Sequence, residues 1–245
     1  MTYPKDYINK IICGECITVM KDIPDKSIDL ILCDLPYGTT QIGWDIIIPF
    51  DLLWPAYERI IKDNGAIVLT ASQPFTTDLI ASNRAMFRYE MIWEKSRAVG
   101  FLDANRKPMK AHENILVFYK SLPTYNPIMT EGKPYIATHK ANRSAQYSNH
   151  GETVTTNEGE RYPRSVIKID SISDTVHPTQ KPVELFEYLI RTFTHPTELV
   201  LDNCVGSGTT AVAAKNLNRK FIGIELNETY CYEAEKRLKQ GVLNF

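Results

Sequence analysis

The chain has 245 residues, a hydrophobic fraction of 43% and a formal net charge of -1. That length suits one sizeable α/β domain with an insertion, or two small domains, and the composition excludes a disordered chain. A charge this close to zero gives no support to nucleic-acid binding, so such a role must rest on local charge and on motifs.

No apolar run approaches the length of a membrane span, and no apolar stretch follows Met1 to Asp6 as it would in a secretory leader. A cytosolic, reducing compartment is the expected setting. The five cysteines are scattered. Cys13 and Cys16 form one CxxC, but no second CxxC or histidine pair completes a metal site, and His112 and His177 lack ligand spacing, so no metal is expected.

In chain order, Ile8 to Cys13 reads as a strand ending at Gly14, and Val19 to Ile23 as a helical turn. Ile28 to Cys33 is a nearly continuous apolar run, as expected of a strand buried on both faces of a parallel sheet. Asp34-Leu35-Pro36-Tyr37-Gly38 then falls at its C-terminal end, the edge where open α/β sheets bind ligands. Phe50 to Lys62 has helical periodicity, with Asn64-Gly65 as its stop, and Ala66 to Thr70 returns as a strand. Thr76 to Asn83 predicts a helix, and Phe87 to Lys95 and Ile115 to Tyr119 predict two strands. From Ser121 to Ser173 periodicity is poor, and a loop-rich stretch this long in a compact domain is usually functional. Pro182 opens an amphipathic helix to Arg191. Strand Leu199 to Leu201, a glycine turn, helix Thr210 to Leu217, strand Phe221 to Ile224 and helix Glu228 to Lys239 complete the chain.

Two segments carry chemistry. In Asp202-Asn203-Cys204-Val205-Gly206-Ser207-Gly208-Thr209-Thr210, two glycines let backbone approach a ligand at a helix N-terminus, and Glu225 ends the next strand where a carboxylate can accept ribose hydroxyls. Alone, this pattern also fits a dinucleotide fingerprint. About twenty residues follow Glu225, too few for the remainder of a dinucleotide domain. Near the N-terminus, Asp34, the carbonyl of Leu35 or Pro36, and the ring of Tyr37 suit an amino group on a planar base. Two accepted hydrogen bonds would localise its lone pair, and the ring would stack on the base. Methylation of a ring carbon needs a cysteine nucleophile, and no Pro-Cys pair occurs.

With both segments in hand, the chain resembles the β group of DNA amino-methyltransferases, the adenine-N6 and cytosine-N4 enzymes, whose signature is D/S-P-P-Y/F/W followed later by a D-P-F-x-G-S/T-G-T-T-like turn. His177-Pro178-Thr179-Gln180-Lys181-Pro182-Val183-Glu184-Leu185 is also similar to that group. The resemblance covers nearly the whole chain, Ser121 to Ser173 matching least. It implies a circularly permuted Rossmann-like methyltransferase fold with a seven-stranded, mostly parallel sheet. It also implies a catalytic part over residues 1–120, a target-recognition insert over 121–173 and a cofactor-binding part over 174–245. By resemblance, S-adenosyl-methionine is the cofactor, held by Asp202, Gly206, Gly208 and Glu225, with Glu15 and Cys16 near its adenine and Thr179 and Lys181 over its methionine part. Asp34, Pro36 and Tyr37 would be catalytic. Leu35 stands where the family has proline, and Asn203-Cys204 where it has Pro-Phe.

The expected partner is double-stranded DNA. Between Arg97 and Arg143 eight basic side chains face three acids, and Arg97, Arg106, Lys107, Lys110, Lys140 and Arg143 are the candidate nucleic-acid contacts, with Arg161 and Arg164 extending them. A homodimer and a restriction endonuclease partner are left open. The expected activity is adenine-N6 methylation, since aspartate at the first motif position is commoner there and serine commoner in cytosine-N4 enzymes. The alternatives are a cytosine-N4 enzyme, a nicotinamide-dependent oxidoreductase and a DNA-binding protein that has lost catalysis.

Overall fold

The computed structural model describes residues 1–39, 45–139, 142–144, 147–150, 152–172 and 180–240. They form two compact units, Met1–Asn126 with Ser165–Phe245, and Pro127–Arg164. The larger unit begins with β1 (Lys10–Cys13), α1 (Cys16–Met20), β2 (Ile28–Asp34), α2 (Phe50–Ile60), β3 (Ile61–Ala71), α3 (Phe75–Ser82), β4 (Phe87–Val99) and β5 (Lys110–Phe118). The smaller unit holds β6 (Thr130–Glu131), β7 (Tyr135–His139), β8 (Asn142–Ser144), β9 (Tyr147–His150), β10 (Thr153–Asn157) and β11 (Glu160–Arg161). The larger unit resumes with β12 (Val166–Ile169), α4 (Val183–Phe193), β13 (Leu199–Asp202), α5 (Thr209–Asn216), β14 (Lys220–Glu225) and α6 (Glu228–Gln240).

Eight strands pair in the order β1-β14-β13-β2-β3-β5-β4-β12, one more than the seven expected. Only β5 runs against the rest. The additional strand is β12, parallel to β4 within the stretch read as loop. Its four residues turn only Ile167 and Ile169 inward, too short an alternation to stand out among prolines and serines.

The period-two rule of strands builds the core. Ile31, Cys33, Ile67, Leu69, Leu116 and Phe118 face one side, where they meet α1, α2 and α3. Leu30, Leu32, Val68, Ile115, Val117 and Val200 face the other, where they meet α4 and α5. Strands apolar on both faces therefore sit between two helical layers, as the continuous apolar run of β2 requires.

The expected stop at Asn64-Gly65 is corrected. Helix α2 ends at Ile60, and Ile61 is already extended. Gly65 lies inside β3, beside a register shift against β2. A Cβ there would stand 2.9 Å from the Asp29 carbonyl oxygen and 2.7 Å from the Ile61 side chain, so glycine permits the close approach of two backbones rather than capping a helix.

In the smaller unit, β7–β10, β6–β11 and β8–β9 are separate two-stranded antiparallel ladders. Ile136 and Val154 on them stay exposed. Arg161 lies over the Tyr135 ring at 4.8 Å and hydrogen-bonds to the Glu160 carbonyl, so it is engaged within its own unit rather than held free for a partner.

Candidate active site

Strand β13 leads through α5 to β14 on one side, while β2 leads through α2 to β3 on the other. Between β13 and β2 the order reverses, and the crevice at the carboxyl ends of such strands is where open α/β sheets bind ligands. Asp202 ends β13 and Asp34 ends β2, so the two motifs, far apart in sequence, meet at this switch point.

Asp34 is the hub of the chemical centre. Its Oδ1 accepts from the Tyr37 hydroxyl at 2.7 Å and from the Thr70 hydroxyl on β3. Its Oδ2 accepts from Lys181 Nζ at 2.5 Å. Lys181 also lies 3.3 Å from Glu113 Oε2, and Lys95 pairs with the other oxygen of Glu113. A row of alternating charge thus runs Lys95, Glu113, Lys181, Asp34. Burial works against the charge on Lys181, but Asp34 and Glu113 outweigh it, so its pKa stands above the usual lysine value. The Tyr37 ring stacks on Phe75 with centroids 5.2 Å apart. Beyond it, Asp45 holds the amides of Gly38 and Thr39 at 2.8 and 2.9 Å, fixing the loop after the motif. Leu35, in place of the family's proline, is buried in the core.

At the glycine turn the carboxylates serve backbone and hydroxyl donors. Asp202 accepts from the Thr210 hydroxyl and from the Cys204 amide at 3.0 Å and is 3% exposed, so it shapes the turn from beneath. Glu225 accepts from the amides of Gly206 and Asn227, both at 2.9 Å. Glu15 caps α1 through the amides of Ile17 and Thr18, both at 2.8 Å; burial raises its pKa, but these bonds prevail and lower it. Both oxygens of Glu225 and Oε2 of Glu15 keep a second lone pair, while Oε1 of Glu15 also accepts from the Cys16 thiol at 3.7 Å. Gly206 at φ +51° has nothing within 4 Å of the position a Cβ would take, whereas at Gly208, φ +87°, a Cβ would press on Ala234 of α6 at 2.9 Å. Gly206 therefore leaves open space beside Glu225, and Gly208 allows α6 to pack.

Asn203, replacing the family's proline, is buried and accepts from the Tyr57 hydroxyl at 2.5 Å. Tyr57 comes from α2, so the departure is matched by a partner 146 residues away. Cys33 is fully buried, and burial pushes its thiol up to about 12. It is therefore no thiolate nucleophile near neutral pH.

Burial pushes Asp202 up to about 7, against the pull of Thr210 and Cys204. A carboxyl whose folded pKa is raised contributes most below its unfolded value, and that contribution fades as pH climbs through the folded one. Asp202→Asn should therefore gain melting temperature relative to the parent between about pH 4 and pH 7 and hold a constant difference above pH 8. Thermal unfolding across pH checks this, and a difference that shrinks with rising pH would contradict it.

Of the basic residues, Arg97, Arg106 and Lys107 are exposed around the β4–β5 turn. Lys110 instead bonds the Ser72 hydroxyl, and burial lowers its pKa. Lys140 and Thr179 lie outside the described residues, as does the side chain of Arg143, and His177 and Pro178 of the third motif share that position. Thr70, Glu113, Lys95 and Asp45 were not anticipated. For Thr70, Glu113 and Lys95 the signal is a contact between distant segments, which no local pattern carries, and Asp45 acts within its own loop. Among the described residues no metal-binding group of three or more side chains occurs, and no helix is long and apolar enough to cross a membrane.

Residues 28–236 match the N6/N4 family described as DNA methylase. The type II methyltransferase M.BglII of Bacillus subtilis is 31% identical over 253 residues, which cover 94% of this chain and 68% of that protein. The type II methyltransferase M1.MboII of Moraxella bovis is 28% identical, over 97% of this chain and 99% of that one. Among solved structures, the M1.HpyAVI-SAM complex has a TM-score of 0.66 at 26% identity, covering 94% of this chain and 98% of that one. With an acid-aromatic centre and a glycine turn at one switch point, and a family match over most of its length, this chain belongs to the N6/N4 DNA methylases.

Proposed function

We propose that this methylase transfers a methyl group from S-adenosyl-methionine to the exocyclic amino group of an adenine flipped out of double-stranded DNA. The observation that carries the reading is the adjacency of Asp34 and the Gly206-Gly208 turn at the carboxyl ends of neighbouring strands. Membership of the family removes the nicotinamide-dependent alternative.

The cofactor fits the turn: Gly206 leaves open space, Glu225 and Glu15 offer acceptors for hydroxyl and amino groups, and M1.HpyAVI, 26% identical, carries SAM in its solved structure. When bound, it supplies an electrophilic methyl on a sulfonium. The remaining tasks fall to this chain. Oδ1 of Asp34 is taken by two hydroxyls, whereas Oδ2 has Lys181 as its donor and a lone pair left over, so Oδ2 is the oxygen that accepts a hydrogen from the base amino group. The backbone carbonyl at Leu35 or Pro36 accepts the other, and together they localise a lone pair otherwise delocalised into the ring. The Tyr37 ring, braced by Phe75, gives the base its flat neighbour. Positioning and electrostatics then supply most of the rate, with no covalent intermediate. Arg97, Arg106 and Lys107, exposed around the β4–β5 turn, serve phosphate contact, and Lys140 and Arg143 join them by the sequence reading, whereas Lys110 is engaged by Ser72.

Aspartate at position 34 favours adenine by the family resemblance, while the same geometry serves cytosine-N4. Plasmid DNA incubated with the protein and labelled S-adenosyl-methionine, hydrolysed and separated into nucleosides, should carry the label as N6-methyladenine. Label in N4-methylcytosine would change the base, and DNA without label would overturn the reading.

A further inference from the structure

Strands β4 and β5 form a hairpin whose tip, residues 100–109, stands at the same sheet edge as Asp34. The pairing of Ala71 with Asn114 fixes this, because it sets the N-terminal end of β5 beside the C-terminal end of β3. At the tip Phe101 is 78% and Leu102 99% exposed, and the flanking Val99 and Met109 are exposed as well. The tip is ordered. Gly100 turns the chain at φ +92°, and bonds from Asp103 N to the Gly100 carbonyl, Ala104 N to the Phe101 carbonyl and Arg106 N to the Asp103 carbonyl close it into a helical turn. Two adjacent large apolar side chains are therefore held outward on a hydrogen-bonded turn, where polar residues would serve an isolated chain as well.

The surroundings select the occupant. Arg97, Arg106 and Lys107, all exposed, lie within six residues of the pair along the chain, with Asp103 as the acid between them, which Lys107 meets at 3.5 Å. Apolar side chains ringed by cations suit a base stack flanked by phosphates. The hairpin is also rooted in the chemical centre. Its strands carry Lys95 and Glu113, and Glu113 meets Lys181, the partner of Asp34. Glu113 is three steps, roughly 10 Å of strand, from Lys110, where β5 leaves the tip.

We propose that Phe101 and Leu102 form an apolar wedge that enters the DNA base stack beside the target and fills the space vacated when the target base turns out toward Asp34. This rests on the DNA-methylase reading above. Opening the stack loses stacking energy, and an inserted apolar side chain offsets that loss while the basic residues hold the backbone.

The test uses the full chain on relaxed plasmid DNA, because an inserted side chain unwinds the duplex wherever it binds. After saturation with protein, closure by a topoisomerase and removal of protein, the linking number records the unwinding. The wild type should leave a clear deficit. The F101S/L102S variant should bind the plasmid within about threefold of wild type, since its basic residues are intact, yet leave a deficit at least roughly fivefold smaller. An undiminished deficit in the variant, or no deficit with the wild type, would overturn the wedge. So would a wild-type dimer that becomes monomeric in the variant, since the pair would then be a contact between two copies. Labelled methyl transfer to the same plasmid by the wild type separates failure of the wedge from failure of the methylase reading.

Discussion

Asp34→Ala is expected to lower kcat for methyl transfer to DNA by roughly a thousandfold, while S-adenosyl-methionine binding changes less than about threefold. Several effects converge on one carboxylate. In the proposed mechanism its Oδ2 accepts from the base amino group, and its Oδ1 fixes the hydroxyls of Tyr37 and Thr70. Alanine removes the acceptor and releases the ring meant to stand beside the base. Asp34→Asn keeps an oxygen and the side-chain shape but loses the charge. Its amide oxygen would turn to Lys181, and the hydroxyls of Tyr37 and Thr70 can rotate to accept from the amide nitrogen. That variant should fold like the parent and lose roughly a hundredfold in kcat. Cofactor affinity is the control, because the Gly206-Gly208 turn and Glu225 share no hydrogen bond with Asp34. Equilibrium binding of the cofactor and single-turnover transfer to plasmid DNA measure the two quantities separately. Wild-type turnover in Asp34→Ala would sink the mechanism.

What could be read from the sequence was local. The apolar run of β2, the glycine turn before α5 and the amphipathic α4 each declare themselves within about ten residues, because strand burial, glycine freedom and helical periodicity act at that range. Their meeting at a switch point followed from the resemblance and from the rule for open sheets. The unread parts depend on contacts between distant segments. Asn203 looked like a loss against the family's proline, yet it is satisfied by Tyr57 across 146 residues. Gly65 looked like a helix stop, and only the neighbouring Asp29 carbonyl shows why glycine stands there. Strand β12 is recognisable only through β4, with which it pairs. Glu113 and Lys95 belong to the chemical centre through charge alone, and a charged residue in a strand has no pattern that names its partner.

Lys181 provides the sharpest division between resemblance and geometry. The resemblance assigns it to the methionine part of the cofactor, whereas the structure sets its ammonium 2.5 Å from Asp34 and 3.3 Å from Glu113. The side chain is 7% exposed, with Glu113 at 12% and Asp34 at 23%. Lys181→Met would leave two acids facing one another, with only Lys95 remaining on the far side of Glu113. Breaking a buried pair from one side costs about 3–5 kcal/mol, and the partial exposure of Asp34 reduces this to about 2–3 kcal/mol, a drop of roughly 5–10 °C in melting temperature. The double variant Lys181→Met/Glu113→Gln should recover part of that loss, because it removes one of the unpaired acids. On activity, the geometry predicts a fall in kcat of roughly a hundredfold with cofactor affinity held within threefold, since Lys181 shares Oδ2 with the incoming amino group and can shift toward Glu113, already 3.3 Å away, as that group arrives. The resemblance predicts the reverse, a loss of cofactor affinity with little change in stability. Melting temperature and cofactor binding of the single variant decide between them. Weakened cofactor binding at unchanged stability would mean that Lys181 leaves Asp34 for the cofactor in the working enzyme.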